Sequence, residues 1–424
     1  MQIYIEKIIY PGRSFSRDNG KVILTDGGLP GELVTIKPVK EKKNYLEAEI
    51  LNILEPSKHR AKPRCPHYKI CSPYQCMDYP LQLAIKQGQI TEIFSHHLNI
   101  NLPSLKIKPS PLIWGYRNKI HLHILWENNT PYPAYHTPKS FNRYTRITPC
   151  HLLPPEVNIL LQSFLDTSAE HNLESVKEVV IRKSDTNNNL LLILLINSPT
   201  SSKISQALLP LADNNPLAGC ICISRKEKKV KDTTLMGVNY LKEKIEDITF
   251  EIGPRCFFQI NVPMAKQITE DLKQSLKLSG AETIADLYSG IGTFGLTLAK
   301  QVRHVFTVEK ERENLFFLRR NIENNRIGNI TVCPGASEKW ISRILKKKID
   351  ILLVDPPRRG IGDFICGQIT KNPPEKLVYI SCNPATLIRD MKLLLESYTL
   401  SDITAYDFFP HTPHIETCSI LTRK

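Results

Sequence analysis

An α/β fold, with an open parallel sheet in the carboxyl-terminal third and β-rich domains before it, is predicted by three observations. First, short apolar runs of strand length recur at Thr283–Leu287, Val305–Val308, Ile349–Val354 and Leu377–Ile380, with helical stretches between them. Second, each run stops at a polar or reactive residue: Tyr288 and Ser289, then Glu309, Asp355 and Cys382. Open α/β sheets carry their chemistry at the carboxyl ends of the strands, so these residues share one expected rim. Third, the first 56 residues show short strands and Gly/Pro turns instead of helices, the pattern of a small barrel.

The chain has 424 residues, enough for two or three domains. Lys and Arg number 56 against 42 Asp and Glu, a formal charge of +14 that suits nucleic acid before membrane. Met1–Lys7 offers no apolar core for a signal peptide, and the longest aliphatic run, Leu190–Ile196, is too short to span a bilayer. A cytoplasmic protein with no membrane partner is expected. Its 11 cysteines then point to metal or catalytic roles rather than disulfides.

In the amino-terminal barrel, Ile3–Tyr10, Lys21–Leu24, Leu33–Pro38 and Leu46–Leu51 read as strands. Asp26-Gly27-Gly28, Leu29-Pro30-Gly31 and Glu41-Lys42-Lys43-Asn44 read as turns. Lys37, Lys40, Lys42 and Lys43 decorate one edge, either as a track for a phosphate backbone or as a solvated turn. The stretch Leu29-Pro30-Gly31-Glu32 is similar to a TRAM domain, a small RNA-binding barrel.

A basic joint, Ser57–Pro66, leads into Cys65, Cys71 and Cys76 in a Pro-containing loop. Thiolates hold zinc or iron–sulfur clusters, and four are wanted. Cys150, in the loop Ile147-Thr148-Pro149-Cys150-His151, is the best fourth candidate. Cys220, Cys222, Cys256, Cys333 and Cys366 lie in or beside apolar stretches and read as core. The spacing leaves zinc and iron–sulfur both open.

The middle reads as antiparallel and β-rich. Trp114–Ile124 is an expected strand, followed by Val179–Arg182, Leu190–Ile196, Gly219–Ser224 and Thr249–Ile252. Leu81–His97 and Pro155–Ser168 are expected helices, and the Arg225–Lys231 charge run is an expected hairpin turn that could touch RNA. The boundaries fall at 1–56 for the barrel, 57–255 for the central domain with the cysteine loop, and 256–424 for the carboxyl-terminal domain.

In that last domain a Gly-rich turn, Tyr288-Ser289-Gly290-Ile291-Gly292, follows the first strand. Glu309 falls roughly 20 residues after that strand, where Rossmann-like folds set an acid on ribose hydroxyls. Cys382 ends the fourth strand. Asp407–Glu416 leads into a last strand, Cys418–Thr422. If it runs antiparallel, Glu416 comes near Cys382. A thiol and a carboxylate beside a nucleotide-type pocket suit one reaction above others. Thiolate addition at C6 of uracil makes C5 nucleophilic toward a methyl sulfonium, and a base then removes the C5 proton.

The segments Cys256–Asn261, Asp286–Gly290, Asp355–Gly360, Ser381–Pro384 and His411–Glu416 together resemble the RNA uracil-5-methyltransferase family, over nearly the whole chain. The resemblance implies a Rossmann-like S-adenosylmethionine-dependent methyltransferase domain. It implies that Gln259, Tyr288, Glu309 and Asp355 bind S-adenosylmethionine, with Cys382 as nucleophile and Glu416 as general base. The barrel and the cysteine set resemble the branch that acts on large-subunit (23S) ribosomal RNA. That branch implies a [4Fe-4S] cluster on Cys65, Cys71, Cys76 and Cys150, although here C-x4-C stands where the family usually has C-x2-C. An RNA partner, ribosomal RNA first, and a monomer are expected. The same chemistry on transfer RNA, or a non-catalytic RNA-binding role for the fold, are the alternatives.

Overall fold

The computed structural model describes the chain except for residues 103–104, 138–139, 141, 198–200 and 227–228. The chain divides into two compact units. One comprises Met1–Ile113 with Cys382–Arg389 and Ile403–Thr417; the other comprises Trp114–Ser381, Asp390–Asp402 and Cys418–Lys424.

The first unit opens with β1 (Gln2–Tyr4), β2 (Lys7–Ile9), β3 (Arg13–Asp18), β4 (Lys21–Thr25), β5 (Leu33–Glu41) and β6 (Tyr45–Glu55). They form one sheet in the order β1-β5-β6-β4-β3-β2 around Ile3, Ile5, Ile23, Val34, Ile36, Leu46 and Ala48. The expected strand Ile3–Tyr10 is split. Ile5 donates its N–H to Glu32 and Glu6 donates to Phe15, so the backbone turns between two partners. The strand β3 escapes a hydrophobic reading because serines fill its buried positions. Ser14 and Ser16 are both buried, and the Ser14 hydroxyl donates to Gly28 O at 2.7 Å.

Glu32 explains the Leu29–Glu32 turn. Its side chain is fully buried and takes two bonds from the Arg60 guanidinium, at 2.5 and 2.6 Å, and one from the Leu29 N–H at 2.8 Å. Burial opposes the charge, but Arg60 and the N–H groups of Leu29 and Ser57 outweigh it and hold the carboxyl below its usual range.

After the short α1 (Tyr68–Cys71) comes α2 (Tyr79–Leu98). Asp78 caps its start by accepting the Leu81 N–H, and Asn99 ends it in the left-handed region at φ 54°. Its buried face carries Gln82, Lys86 and Gln89 as well as Ile90 and Phe94. The strand β7 (Lys106–Lys108) follows.

The second unit begins with β8 (Lys119–Glu127), β9 (Thr130–His136), β10 (Tyr144–Arg146), β11 (Val176–Lys183), β12 (Leu190–Ile196), β13 (Leu217–Lys226) and β14 (Lys229–Gly237). Their order is β10-β9-β8-β11-β12-β13-β14. α3 (Pro155–Glu170) and α4 (Ser201–Asn214) cover one face, burying Val157, Leu160, Phe164 and Leu208 against Leu122, Ile181, Leu192 and Leu194. The strand expected from Trp114 starts only at Lys119. Before it, Gly115, Arg117 and Asn118 donate their N–H groups to His151, Leu152 and Ile260 instead of to a sheet partner. The expected turn at Arg225–Lys231 is the β13–β14 hairpin; its residues 227–228 lie outside the described residues. A separate hairpin, β15 (Leu241–Ile245) with β16 (Ile248–Ile252), comes next.

The remaining helices are α5 (Val262–Leu276), α6 (Thr293–Ala299), α7 (Arg312–Asn324), α8 (Ser337–Leu345), α9 (Gly362–Lys371) and α10 (Pro384–Leu394). They alternate with β17 (Thr283–Leu287), β18 (His304–Glu309), β19 (Ile330–Pro334), β20 (Ile351–Val354) and β21 (Lys376–Ser381), followed by β22 (Tyr398–Tyr406) and β23 (Glu416–Arg423). β17 to β21 are parallel neighbours in the order β19-β18-β17-β20-β21, with β23 and then β22 beyond. The chain runs outward from β17 through β18 to β19, then restarts on the other side at β20. That reversal opens a crevice at the carboxyl ends of β17 and β20, where open sheets bind ligands. Within the first unit, the end of β22 pairs in parallel with β7, Thr404 opposite Lys106.

Among the described residues, no two cysteines form a disulfide. Among the described residues, no helix is long and apolar enough to cross a membrane.

Candidate active site

The crevice of the second unit is built from the Gly-rich turn after β17. Tyr288, Gly290 and Gly292 take φ of 63°, 57° and 95°, so the backbone reverses before α6. The Ser289 N–H ties the turn to β18 by donating to Val308 O at 3.1 Å, and the Gly292 N–H closes the turn on Ser289 O at 2.8 Å. Glu309, at the end of β18, accepts the Gly290 N–H at 2.8 Å through one oxygen. Through the other it accepts the N–H groups of Lys310 and Glu311, both at 2.7 Å. The turn and the carboxylate therefore hold one another.

Two further acids flank it. Asp286, one residue before the end of β17, is 1% exposed and accepts the Gly295 N–H at 3.0 Å. Burial, then the charges of Asp355 and Glu309, push its carboxyl well above the usual range. Asp355 follows β20, and burial pushes it up to about 7. The Gln259 amide lies 3.4 Å from Asp355, and its own backbone O accepts from the Asn118 side chain at 3.0 Å. Burial pushes the Tyr288 phenol up to about 12. So Gln259, Glu309 and Asp355 come to one crevice with Tyr288 in its turn. Three acids this close to one another, two of them disfavoured as anions, fit a ligand that is cationic and rich in hydrogen-bond donors.

Asp286 is the residue that sequence reasoning missed here. Its signal was available: an acid inside an apolar strand, one position before a Gly-rich turn.

The nucleophile and base candidates lie in the first unit. Cys382 is half-buried in the step from β21 to α10. Asn383 accepts the Ala385 N–H through its side chain at 3.2 Å and the Leu387 N–H through its backbone O at 3.1 Å, so it caps α10. The helix start favours an anion beside it. Glu416 is the first residue of β23 and is 7% exposed. β23 runs antiparallel to β21, because the Arg423 N–H donates to Glu375 O at 2.9 Å. At that register the carboxyl end of β21, just before Cys382, lies at the start of β23, where Glu416 stands.

The segment before Glu416 is clamped by α2. The Lys86 ammonium meets Asp407 at 2.5 Å and Phe409 O at 3.1 Å, and neither charged side chain is exposed. The Gln82 side-chain O accepts the His411 N–H at 2.8 Å, while its amide lies 3.1 Å from His411 Nδ1. Burial, then the charges of Lys86 and Arg64, lower the His411 pKa to about 3, so the ring is neutral. Sequence reasoning missed Gln82 and Lys86, because polar residues at helical spacing read as a solvated face.

The four cysteines proposed for a cluster are divided between the two units. Cys65, Cys71 and Cys76 lie in the first unit and Cys150 in the second. Cys76 packs with Ile8, Leu29, Tyr74 and Met77, its thiol donates to Pro73 O at 3.1 Å, and burial pushes its pKa up. Cys65 accepts from the Gln75 amide at 3.5 Å. Cys150 belongs to the apolar core with Leu152, Leu153 and Val157. Among the described residues, no three His, Cys, Asp or Glu side chains converge as a metal would need. Cys220, Cys222, Cys256, Cys333 and Cys366 are buried, as expected.

The fold is similar over its whole length to the Pyrococcus abyssi tRNA (uracil-54, C5)-methyltransferase in complex with S-adenosyl-L-homocysteine. That likeness has a TM-score of 0.77 and 23% identity, covering 100% of both chains. An uncharacterized RNA methyltransferase of Synechocystis sp. is 30% identical over 99% of this chain and 95% of its own length. One from Listeria innocua is 30% identical over 100% of this chain and 98% of its own. Residues 78–424 match the family model described as tRNA (Uracil-5-)-methyltransferase. With more than four-fifths of its length matched, the chain belongs to that RNA uracil-5-methyltransferase family.

Proposed function

We propose that this protein methylates C5 of a uridine in RNA. What supports the reading is the antiparallel β21–β23 pairing, which sets the end of β21, before Cys382, beside the start of β23, at Glu416. S-adenosylmethionine would supply an electrophilic methyl group on a sulfonium. Asp286, Glu309 and Asp355 fit its cationic, donor-rich character, with Gln259 and Tyr288 completing the set.

Cys382 adds as thiolate to C6 of the uracil, and the C5–C6 double bond becomes an enolate centred on C5. C5 takes the methyl group and keeps its original proton. Glu416 removes that proton, the double bond re-forms, and the thiolate leaves. The uridine must leave its stack to meet Cys382, so a flipped or single-stranded nucleotide is the substrate form.

Large-subunit ribosomal RNA is the proposed target, on the resemblance of the amino-terminal sheet to the barrel of that branch. Transfer RNA is the second reading, favoured by the whole-length likeness to the Pyrococcus enzyme. The test incubates the protein and its Glu416→Gln variant with methyl-labelled S-adenosylmethionine and each RNA. The variant should accumulate a covalent protein–RNA adduct on denaturing gels, and Cys382→Ala should give neither adduct nor product. An adduct that forms without Cys382 would overturn the assignment.

A further inference from the structure

The second unit carries a second cluster of chemistry-bearing side chains, on the outer face of the seven-stranded sheet. Near β12 and β13 this face is apolar, with Val180, Leu191, Ile193, Ile221 and Ile223 packed together. Toward the β10 edge its character changes. His123 stands opposite both Glu178 and Ala134, Ala134 opposite Arg146, and His136 opposite Tyr144. Side chains alternate along strands, so His121, His123, Tyr132, His136, Tyr144 and Arg146 share one face.

The rings make a contiguous surface. His136 and Tyr144 lie 4.5 Å apart at 33°, and His123 meets them edge-on at 4.6 and 5.0 Å. Two residues further along β10, about 7 Å away, the Arg146 guanidinium lies 5.0 Å from the Tyr132 ring centre. His136 and Arg146 are exposed, and Tyr144 is 39% exposed. Arg143 is exposed beside them, while Glu178 is tied to His121 at 2.5 Å.

Phosphate neutralisation alone needs no rings. Exposed rings interleaved with guanidinium groups are the features that hold unpaired bases, by stacking and cation–π contact. The cationic balance of the chain, +14, complements the backbone of the same ligand. We infer that the outer face of β8, β9 and β10 is a base-stacking platform for single-stranded RNA. The inference rests on the reading of the chain as an RNA methyltransferase and adds to it a second contact with the substrate.

The test is fluorescence anisotropy of labelled oligouridylate with the full chain, without methyl donor. Y144A should bind roughly tenfold or more weakly, in line with the worth of one stacked base. Y144F keeps the ring and should bind as wild type, and R146A should weaken binding too. Duplex RNA of the same length hides its base faces, so Y144A should bind it as wild type does. Unchanged oligouridylate binding by Y144A, with unchanged thermal unfolding, overturns the platform, and so does an equal loss on duplex. Tyr144-dependent binding with no methyl transfer to any RNA would sink the methylation reading alone. Methyl transfer with Tyr144-independent binding would sink the platform alone.

Discussion

Lys86 and Asp407 meet at 2.5 Å with neither side chain exposed to solvent. Burial pulls the Lys86 pKa down, and the carboxylate opposes that shift. Such a pair contributes little net stability over a well-packed apolar pair, but losing one partner strands a charge. Lys86→Met should therefore destabilise the protein by about 3–5 kcal/mol. Adding Asp407→Leu should recover much of that loss. Denaturant unfolding of the two single variants and the double variant measures the coupling.

Gly295 faces Asp286 from the first turns of α6. A Cβ placed there would come within 2.7 Å of Asp286 Oδ2, while the backbone N–H of the same residue donates to that oxygen. Gly295→Ala should cost about 1–3 kcal/mol by overpacking. It should also weaken S-adenosylmethionine binding, since the carboxylate must move. Calorimetric titration alongside thermal unfolding separates the two effects.

Asp355 gives a pH signature. Its folded pKa of about 7 lies above the unfolded value, which is about 3.9. Between those values the folded chain keeps a proton that the unfolded chain has released. The contribution to stability is whole below the unfolded pKa, declines as pH rises through the window, and is gone above about 7. Binding of a cationic methyl donor should follow the opposite course and tighten as pH rises through neutrality. Asp355→Asn should flatten both dependences, read by denaturant unfolding and by calorimetric titration at several pH values.

Much of the catalytic sheet was legible because its strands are buried on both faces and read as unbroken apolar runs. Thr283–Leu287 matches β17 residue for residue, and β18, β20 and β21 differ only at their ends. The edge strand β19 was missed because its burial is partial and its sequence, Ile-Thr-Val-Cys-Pro, alternates weakly. β3 was missed because serines occupy its inner face. The cysteine loop offered no such periodicity to read. Cys65, Cys71 and Cys76 were grouped by their close spacing and Cys150 by its Pro-rich loop; Cys76 and Cys150 each pack in an apolar cluster. Pattern reasoning sees which residues could bind a metal; it does not see which way a loop of Pro-broken turns sends each thiol.

The clamp on helix α2 allows that helix a single seating. Gln82, Lys86 and Gln89 each answer a fixed partner: His411, Asp407 and the backbone of Ile8. Seated one turn out of place, the helix would bury an ammonium with no counter-charge, so only one seating is tolerable. A fragment that keeps Glu416 but lacks the first hundred residues would therefore carry the proposed base's chemical identity without its address.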